Sequence, residues 1–207
     1  MASRLYIHYG DSIGWEFENR VLIMNKLRDK SLNSSTGLDN KPTTGVFWAS
    51  PKHSESNWKK WCEENDFDPA EIDGGKAHRE GYWDKSVEFR IMKNTLATID
   101  SPESYEYFRS RFGLALEELQ QSLYLDFDKL RLAGYAGVEV SISKFPKLYY
   151  YLYGWDCDSV AIWNPRVIYV SKSCILEKLK SEKTPYKRNI LWSSINATDV
   201  EKSSQQK

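Results

Sequence analysis

The chain has 207 residues, and its 29 basic side chains balance its 29 acidic ones, so the formal net charge is zero. This neutrality argues against a general nucleic-acid coat and against a membrane-surface protein, because both need net positive charge. Hydrophobic residues make up 41% of the chain, which is typical of a soluble domain with one sizeable core. The aromatic fraction of 14% is high, and large rings supply both buried area and walls for a flat ligand.

No apolar run approaches the roughly 20 residues that cross a bilayer, so no membrane partner is expected. The start of the chain, MASRLYIHYGD, has an apolar part too short for a signal peptide. The three cysteines, Cys62, Cys157 and Cys174, show no metal-ligand spacing and are typical of reduced thiols. We therefore expect a cytoplasmic protein, or one delivered into a host cell by a non-classical route.

The first half of the chain predicts short strands and helices separated by polar loops. Residues 4–9 and 45–50 are expected to form strands, the second of them stopped by Pro51. Apolar residues recur at helical spacing from Phe17 to Arg28, and a second helix is predicted over 54–65. Its cap is expected at Ser54 or Ser56. The predicted irregular segments are the loop 30–44 and an acidic surface excursion over 66–81.

The second half predicts more strands than helices. The predicted strands are 86–92, 95–99, 137–142, 159–163 and 167–171. The predicted helices are 101–112, starting at Ser101 and Pro102, and a short one over 126–133 closed by Gly134. Residues 114–123 either continue the first of these or form a second helix. Residues 148–155 fit a helix or a strand equally well. Because no βαβ regularity is present, the pattern predicts an α+β single domain over 1–176, followed by a charged segment, 177–207, with a disordered end.

Several motifs that carry common chemistry are absent from the sequence. It has no Gly-rich dinucleotide fingerprint, no phosphate-binding loop, no nucleophile elbow and no paired-histidine metal helix. The histidines are His8, His53 and His78, too few for a histidine-rich metal site. No metal is therefore expected.

Three short strands place polar or aromatic groups where apolar residues are usual. RLYIHYGD ends in His8, Tyr9 and Gly10, and TGVFWASP contains Trp48 and Ser50. GYAGVEVS carries a lone carboxylate, Glu139, between two valines. Taken singly, His8 and Trp48 are more often core residues and Ser50 a turn residue, whereas a glutamate such as Glu139 on a half-buried strand faces solvent only about as often as not.

The order of these strands resembles the ADP-ribosyltransferase superfamily, and most closely its diphtheria-toxin-like His–Tyr–Glu class, which includes small bacterial effectors, toxins and phage enzymes. The resemblance implies a split, bent pair of sheets that holds NAD+ as a substrate. It also implies that His8, Tyr9, Gly10, Trp48 and Ser50 bind NAD+. In this resemblance, His8 and the backbone at Gly10 hold the nicotinamide end and the adenosine-side ribose of NAD+. Trp48 (or Phe47) stacks on the nicotinamide ring, Ser50 supports the site, and Glu139 is the catalytic carboxylate.

That chemistry needs a fixed carboxylate. Cleavage of the bond between nicotinamide and its ribose generates an oxocarbenium-like cation, as in glycoside hydrolysis. A preorganised anion beside the ribose stabilises the developing charge, most effectively in a cleft that excludes water. A nucleophilic side chain of a target protein then attacks the ribose.

The sequence departs from the family pattern in two places. The usual first motif is aromatic-His-Gly, whereas here His8 and Tyr9 precede Gly10. Because adjacent strand residues point to opposite faces, only one of the two rings is expected to enter the cleft. Arginine-directed relatives often carry an acidic residue two positions before the catalytic glutamate, and here that position is Gly137.

Other residues remain open as site candidates. Arg4 is a candidate for the arginine of another class within the superfamily, and Glu88 is an alternative catalytic carboxylate. Asp156 and Asp158 could position a substrate or simply form a turn, and His53 is expected to be incidental. The basic segment 178–188 is expected to be a solvated face.

The sequence thus predicts a monomeric mono-ADP-ribosyltransferase, an effector or toxin whose partners are NAD+ and an acceptor side chain of a target protein. The alternative is a non-catalytic module that binds a partner or inhibits it through an aromatic-rich surface, or a nucleotide-binding pseudoenzyme. Stacking rings are present for nucleic acid, but the positive charge that nucleic acid requires is not.

Overall fold

Short strands and helices alternate irregularly along the chain. The structure is a computed structural model, which describes residues 4–10, 30–33, 40–69, 82–83, 86–114 and 124–170. The strands are β1 (Leu5–Tyr9), β2 (Phe47–Pro51), β3 (Ser86–Ile91), β4 (Leu96–Ile99), β5 (Gly137–Val140), β6 (Ser159–Ile162) and β7 (Ile168–Tyr169). The helices are α1 (Trp58–Glu64), α2 (Pro102–Phe112), α3 (Phe127–Leu132) and α4 (Leu148–Tyr151), and a 3₁₀ turn spans Pro165–Val167.

The described strands form one seven-stranded sheet in the order β4-β5-β6-β2-β1-β3-β7. Only the β4–β5 pair is parallel among these strands, and the other neighbours run antiparallel. Helices and strands are mixed without repeated βαβ units, which confirms the predicted α+β class. The described residues all belong to one compact unit, Met1–Val170.

The sheet is curled. Tyr6 on β1 and Glu139 on β5 are separated by β2 and β6, so three steps of about 4.8 Å would lie between their strands in a flat sheet. Nevertheless, the Tyr6 hydroxyl lies 2.9 Å from Glu139 Oε2. The face that carries both side chains must therefore be concave, and we call it the inner face. The opposite face is called the outer face.

A hydrophobic core cluster packs on the outer face of the β4–β5–β6 half. Val138 and Val140 are fully buried there, on either side of Glu139 in the sequence but on the other side of the strand. They meet Tyr105 and Phe108 of α2 and Trp155, which precedes β6. All four residues of β5 are buried, so this strand has no solvent-facing side. Glu139 is thereby held inside the protein.

The cap of α1 differs from the prediction. Asn57, and not Ser54 or Ser56, is the N-cap, and its side-chain oxygen accepts a hydrogen bond from Lys60 N at 3.1 Å. Ser54 is engaged elsewhere, since its hydroxyl donates to Asp158 at 2.5 Å. The predicted cap was wrong because a tertiary contact competes for the serine.

Two other helix predictions are confirmed. Helix α2 starts at Pro102 behind a capping box formed by Ser101 and Ser104. Helix α3 is followed by Gly134, whose φ of +93° is the left-handed conformation that glycine adopts readily. The open choice over 148–155 resolves into the single turn α4 followed by Gly154, also at φ +93°.

Several predicted segments lie outside the described residues. These are the helix over Phe17–Arg28, residues 115–123 of the helix predicted over 114–123, most of the acidic excursion after Pro69, Cys174, the basic segment 178–188 and the C-terminal segment 177–207 with its boundary at 176.

Gly137→Ala should destabilise the protein by about 3 kcal/mol, because overpacked sites typically cost in this range. A Cβ at this position would lie 2.5 Å from the Ala161 carbonyl oxygen on the neighbouring strand. Gly134→Ala is a matched control, since open space surrounds that position and only backbone strain of about 1 kcal/mol is expected. Urea denaturation of both variants measures the difference. Equal losses would mean that β5 shifts freely.

Candidate functional site

A cleft forms where β1 and β2 separate. The two strands pair only at Tyr6–Pro51 and Ile7–Ser50. Beyond this point β1 continues along β3, while Phe47, Trp48 and Ala49 pair with β6. The space between the separating strands has a volume of about 440 Å³, which is within the usual range for small-ligand sites.

Four of the predicted NAD+-binding residues line this cleft, namely His8, Tyr9, Trp48 and Ser50. Both His8 and Tyr9 do so, although their side chains leave β1 on opposite faces. Which of these two rings would face a ligand stays a prediction. Trp48 lies on the outer face, because it pairs with Ala161, which pairs with Val138. Phe47, by contrast, lies on the inner face with His8.

Gly10 does not line the cleft itself but contacts Tyr82, which does. Its N–H donates to the carbonyl oxygen of Tyr82 at 3.2 Å, and Tyr82 lines the cleft. The φ of Gly10 is +88°, and a Cβ would lie 2.5 Å from the Tyr82 ring. The glycine is needed so that this tyrosine can close over the end of β1.

His8 bridges the two separating strands. Its Nδ1 lies 2.6 Å from the carbonyl oxygen of Trp48, and because a carbonyl only accepts, Nδ1 carries the proton in this contact. The imidazole also packs on Phe47, with ring centroids 4.4 Å apart. This hydrogen bond takes the place of a backbone pair at the point where the strands separate, and it orients the ring.

Aromatic side chains dominate the walls of the cleft. The lining includes Tyr9, Trp48, Trp58, Tyr82 and Trp155. Trp48 packs edge-on against Trp155 at 4.9 Å between ring centroids. Trp58 stacks on Trp61 at 5.4 Å and donates its indole N–H to the Tyr82 hydroxyl at 3.3 Å. Rings fixed in this way form a preorganised surface for a planar ligand.

Ser50 supports the cleft through helix α1. It is 1% exposed, and its hydroxyl accepts a hydrogen bond from the backbone N–H of Trp58 at 3.0 Å. The start of α1, and with it the Trp58 ring, is thereby tied to the end of β2. The structure is compatible with the supporting role that the resemblance implies for Ser50.

Glu139 lies on the concave inner face of the sheet and is 4% exposed. It is not among the residues that line the cleft. The side chain of Arg4 forms an ion pair with Glu139 Oε1, and the Tyr6 hydroxyl donates to Oε2. Arg4, Tyr6 and His8 alternate along the chain and so share the inner face with Glu139. The acid and the imidazole therefore lie on the same side of the sheet.

The carboxylate changes the titration of its partners. Burial, and then the Glu139 charge, raise the pKa of Tyr6 well above its usual range. Burial acts to lower the pKa of Arg4, but Glu139 outweighs it and the pKa is raised. The arrangement favours a neutral phenol and a charged guanidinium around one anion.

Gly137, two positions before Glu139, leaves no room for a side chain of any kind. Any Cβ there meets Ala161 O at 2.5 Å, Leu96 Cδ2 at 2.9 Å and Ile162 Cα at 3.1 Å. Position 137 is therefore restricted to glycine by packing, since β5 approaches its neighbours too closely for a side chain.

The alternative acid, Glu88, occupies a different environment. It pairs with Ile7 across β1 and β3, so it projects from the outer face, opposite to His8 and Glu139. Its carboxylate lies 2.6 Å from Lys52 Nζ. Glu88 shares a face with Ser50 but does not line the cleft. The exposed His53 does not line it either.

The two aspartates near β6 have separate roles. Asp158 is buried and accepts hydrogen bonds from the Ser54 and Ser143 hydroxyls, each at 2.5 Å, and from Ser143 N at 2.8 Å. It therefore joins two loops and is not available to a substrate. Asp156 does line the cleft.

Cys157 also lines the cleft, and burial raises its pKa to about 11. Its thiol stays protonated at neutral pH, so it is not positioned as a nucleophile. Cys62 and Cys157 are both free and buried, as expected for reduced thiols.

Sequence reasoning missed the contact of Glu139 with Arg4 and Tyr6, and the cleft residues Lys41, Trp58 and Trp155. The alternation of Arg4, Tyr6 and His8 along β1 was the available signal for the first. Lys41 and Trp155 come from loops, for which the sequence carries no periodic signal.

No protein-family model, no curated protein and no solved structure matches this chain. Within the described ranges, no helix has the length and apolar character needed to cross a bilayer. No group of three or more potential metal ligands is gathered among those residues either.

Tyr6→Phe should change how stability depends on pH. Because the folded state raises the pKa of Tyr6, its contribution is complete below the unfolded value near pH 10 and is lost as the pH rises above it. At neutral pH the variant should be less stable by about 2 kcal/mol, since a hydrogen bond to a charged group is lost. Above about pH 10 this difference should shrink by up to about 1.4 kcal/mol per pH unit.

Chemical denaturation between pH 7 and pH 11 measures this effect. Tyr150→Phe is the control, because Tyr150 is 80% exposed and should follow the wild-type curve. A constant difference between wild type and Tyr6→Phe over the whole range would contradict the neutral, buried phenol.

Proposed function

We propose that this protein is a mono-ADP-ribosyltransferase that cleaves NAD+ and transfers ADP-ribose to a side chain of a target protein. The observation that carries the proposal is the position of Glu139. It is a buried carboxylate tied to β1 by Arg4 and Tyr6, on the sheet face that also bears His8. The aromatic cleft at the adjacent strand separation supports the proposal, because it suits the flat rings of a dinucleotide.

The proposed reaction breaks the bond between the nicotinamide nitrogen and C1′ of its ribose. The electron pair of that bond leaves with nicotinamide, and the ribose acquires positive charge that Glu139 stabilises. The acceptor nucleophile then bonds to C1′ and loses its proton. His8, which lines the cleft and shares the inner face with Glu139, would hold the nucleotide where β1 ends, and Phe47, which packs on His8 on that face, would align the leaving ring.

Arg4 has a particular place in this proposal. Its side chain is 46% exposed, whereas Tyr6, the other partner of the carboxylate, is buried. A ribose would therefore reach Glu139 from the side of Arg4, by displacing or sharing the guanidinium. Tyr6 would remain bonded and keep the carboxylate oriented.

A second candidate function is nucleotide binding without catalysis. The observation that favours it is that both oxygens of Glu139 are already engaged and that this residue does not line the cleft. A protein with this site could keep an aromatic cleft for a nucleotide and use the carboxylate only to hold the sheet together. Such a protein would act by binding a partner or a ligand.

Labelled NAD+ added to the protein and a cell lysate should label a protein acceptor. Glu139→Gln keeps the shape of the side chain and both neighbours but removes the charge, so labelling should fall about 10²- to 10³-fold. Glu88→Gln is the matched control, since it removes a second strand carboxylate that also has a cationic partner. Thermal melts of both variants establish that they fold.

Equal labelling by wild type and Glu139→Gln would contradict a catalytic role for Glu139. A loss confined to Glu88→Gln would move that role to the outer face of the sheet.

Thermal stability with and without NAD+ separates the two candidate functions. NAD+ at a hundred times its dissociation constant should add about 2.7 kcal/mol to the free energy of unfolding. Stabilisation together with labelling supports the transferase, and stabilisation without labelling supports the binding module. The absence of any shift would contradict both.

A further inference from the structure

Lys41 brings a positive charge into the aromatic cleft. Apart from His8, the basic residue among those that line it is Lys41, which lies in the loop before β2. The other lining groups are mainly aromatic rings and the small side chains Thr43, Ala49 and Ser159. A cation beside stacked rings is the combination that a nucleotide requires, since a nucleotide joins a planar base to an anionic group.

The backbone before Lys41 is firmly held. The preceding residue, Asn40, is 1% exposed and makes hydrogen bonds through both its backbone and its side chain. Its partners are Tyr153 O at 3.0 Å, Tyr151 O at 2.7 Å, Leu125 N at 2.9 Å and Trp155 Nε1 at 2.6 Å. Lys41 therefore starts from a fixed point next to the cleft wall that Trp155 forms.

The stem of Lys41 lies on Gly154. A Cβ at Gly154 would be 3.0 Å from Lys41 Cδ, 3.2 Å from Cε and 3.4 Å from Nζ. The φ of Gly154, +93°, also disfavours any side chain there. Gly154 lines the cleft as well, so the glycine provides the surface along which the lysine extends its charge.

This charge is not neutralised within the described part of the chain. No carboxylate or hydrogen-bond acceptor there is paired with the Lys41 ammonium, although most other lysines near β2 and α1 have ion-pair partners. Asp156 lines the same cleft without forming an ion pair with Lys41. An ammonium group that extends into an aromatic cleft and forms no ion pair there is suited to an anionic ligand.

We propose that Lys41, supported on Gly154, binds the diphosphate of a nucleotide whose ring stacks in the cleft. This inference deepens the proposed function, on which it rests for the choice of NAD+ as the nucleotide. Lys41 is a binding residue and takes no part in bond breaking. Because Lys41 is partly exposed, the contact should weaken as the salt concentration rises.

Titration calorimetry with four probes tests the proposal: NAD+, ADP-ribose, nicotinamide riboside and inorganic pyrophosphate. Lys41→Gln should weaken NAD+ and ADP-ribose about ten-fold, as expected for the loss of one charge-assisted contact. Nicotinamide riboside lacks the diphosphate and should bind both proteins equally. Lys147→Gln is the matched control, because Lys147 is exposed and lies outside the cleft.

Equal affinity of wild type and Lys41→Gln for ADP-ribose would overturn the proposal, and so would no binding of NAD+ and ADP-ribose by the wild type. Pyrophosphate binding as tight as that of ADP-ribose would show a site for free anions and would overturn the nucleotide assignment. Lys41-dependent binding of ADP-ribose without labelling from NAD+ would contradict the transferase but support this inference. The two failures are therefore distinguishable.

Discussion

The contact of Glu139 with Arg4 and Tyr6 is the interaction on which the rest of the structure depends. A carboxylate that is taken out of water is costly unless it is paired and hydrogen-bonded, and here both of its oxygens have partners. Those partners belong to a strand three positions away in the sheet. Satisfying the acid therefore requires the sheet to curl, and the curl sets the shape of the inner face.

Buried polar side chains join the loops that surround the cleft. Asp158 connects the loop after β2 with the loop after β5 through Ser54 and Ser143. Asn40 fixes the approach to β2 against the segment that follows α4. Ser50 ties the start of α1 to the end of β2. Polar side chains therefore hold together the loops that form the walls of the cleft.

The sequence predicted the local features of this fold well and its long-range features poorly. The strand around His8, the capped start of α2 at Ser101 and the turn at Gly134 follow from propensities that act within a few residues. The cap of α1 was wrong because Ser54 is used by Asp158, about a hundred residues further along the chain. Helix-capping rules consider only residues that are close in sequence, so they miss a distant side chain that takes the serine hydroxyl.

The candidate site shows the same division. Of the five binding residues that the resemblance implies, His8, Tyr9, Trp48 and Ser50 line one cleft and Gly10 does not. The position of Glu139 beneath the curl depends on the order of the strands, which a single sequence does not reveal. The loops that contribute Lys41 and Trp155 carry no periodic signal, so their convergence could not be predicted.

The sheet order also constrains how the chain assembles. Strand β1 is made early by the ribosome, yet Arg4 is bonded to a residue 135 positions later, and β6 must lie between β2 and β5. A nascent chain therefore has no complete carboxylate site until Ile162 has emerged from the exit tunnel. Such late, distant pairings slow folding, because the entropy of closing a long loop is lost before the contacts are gained.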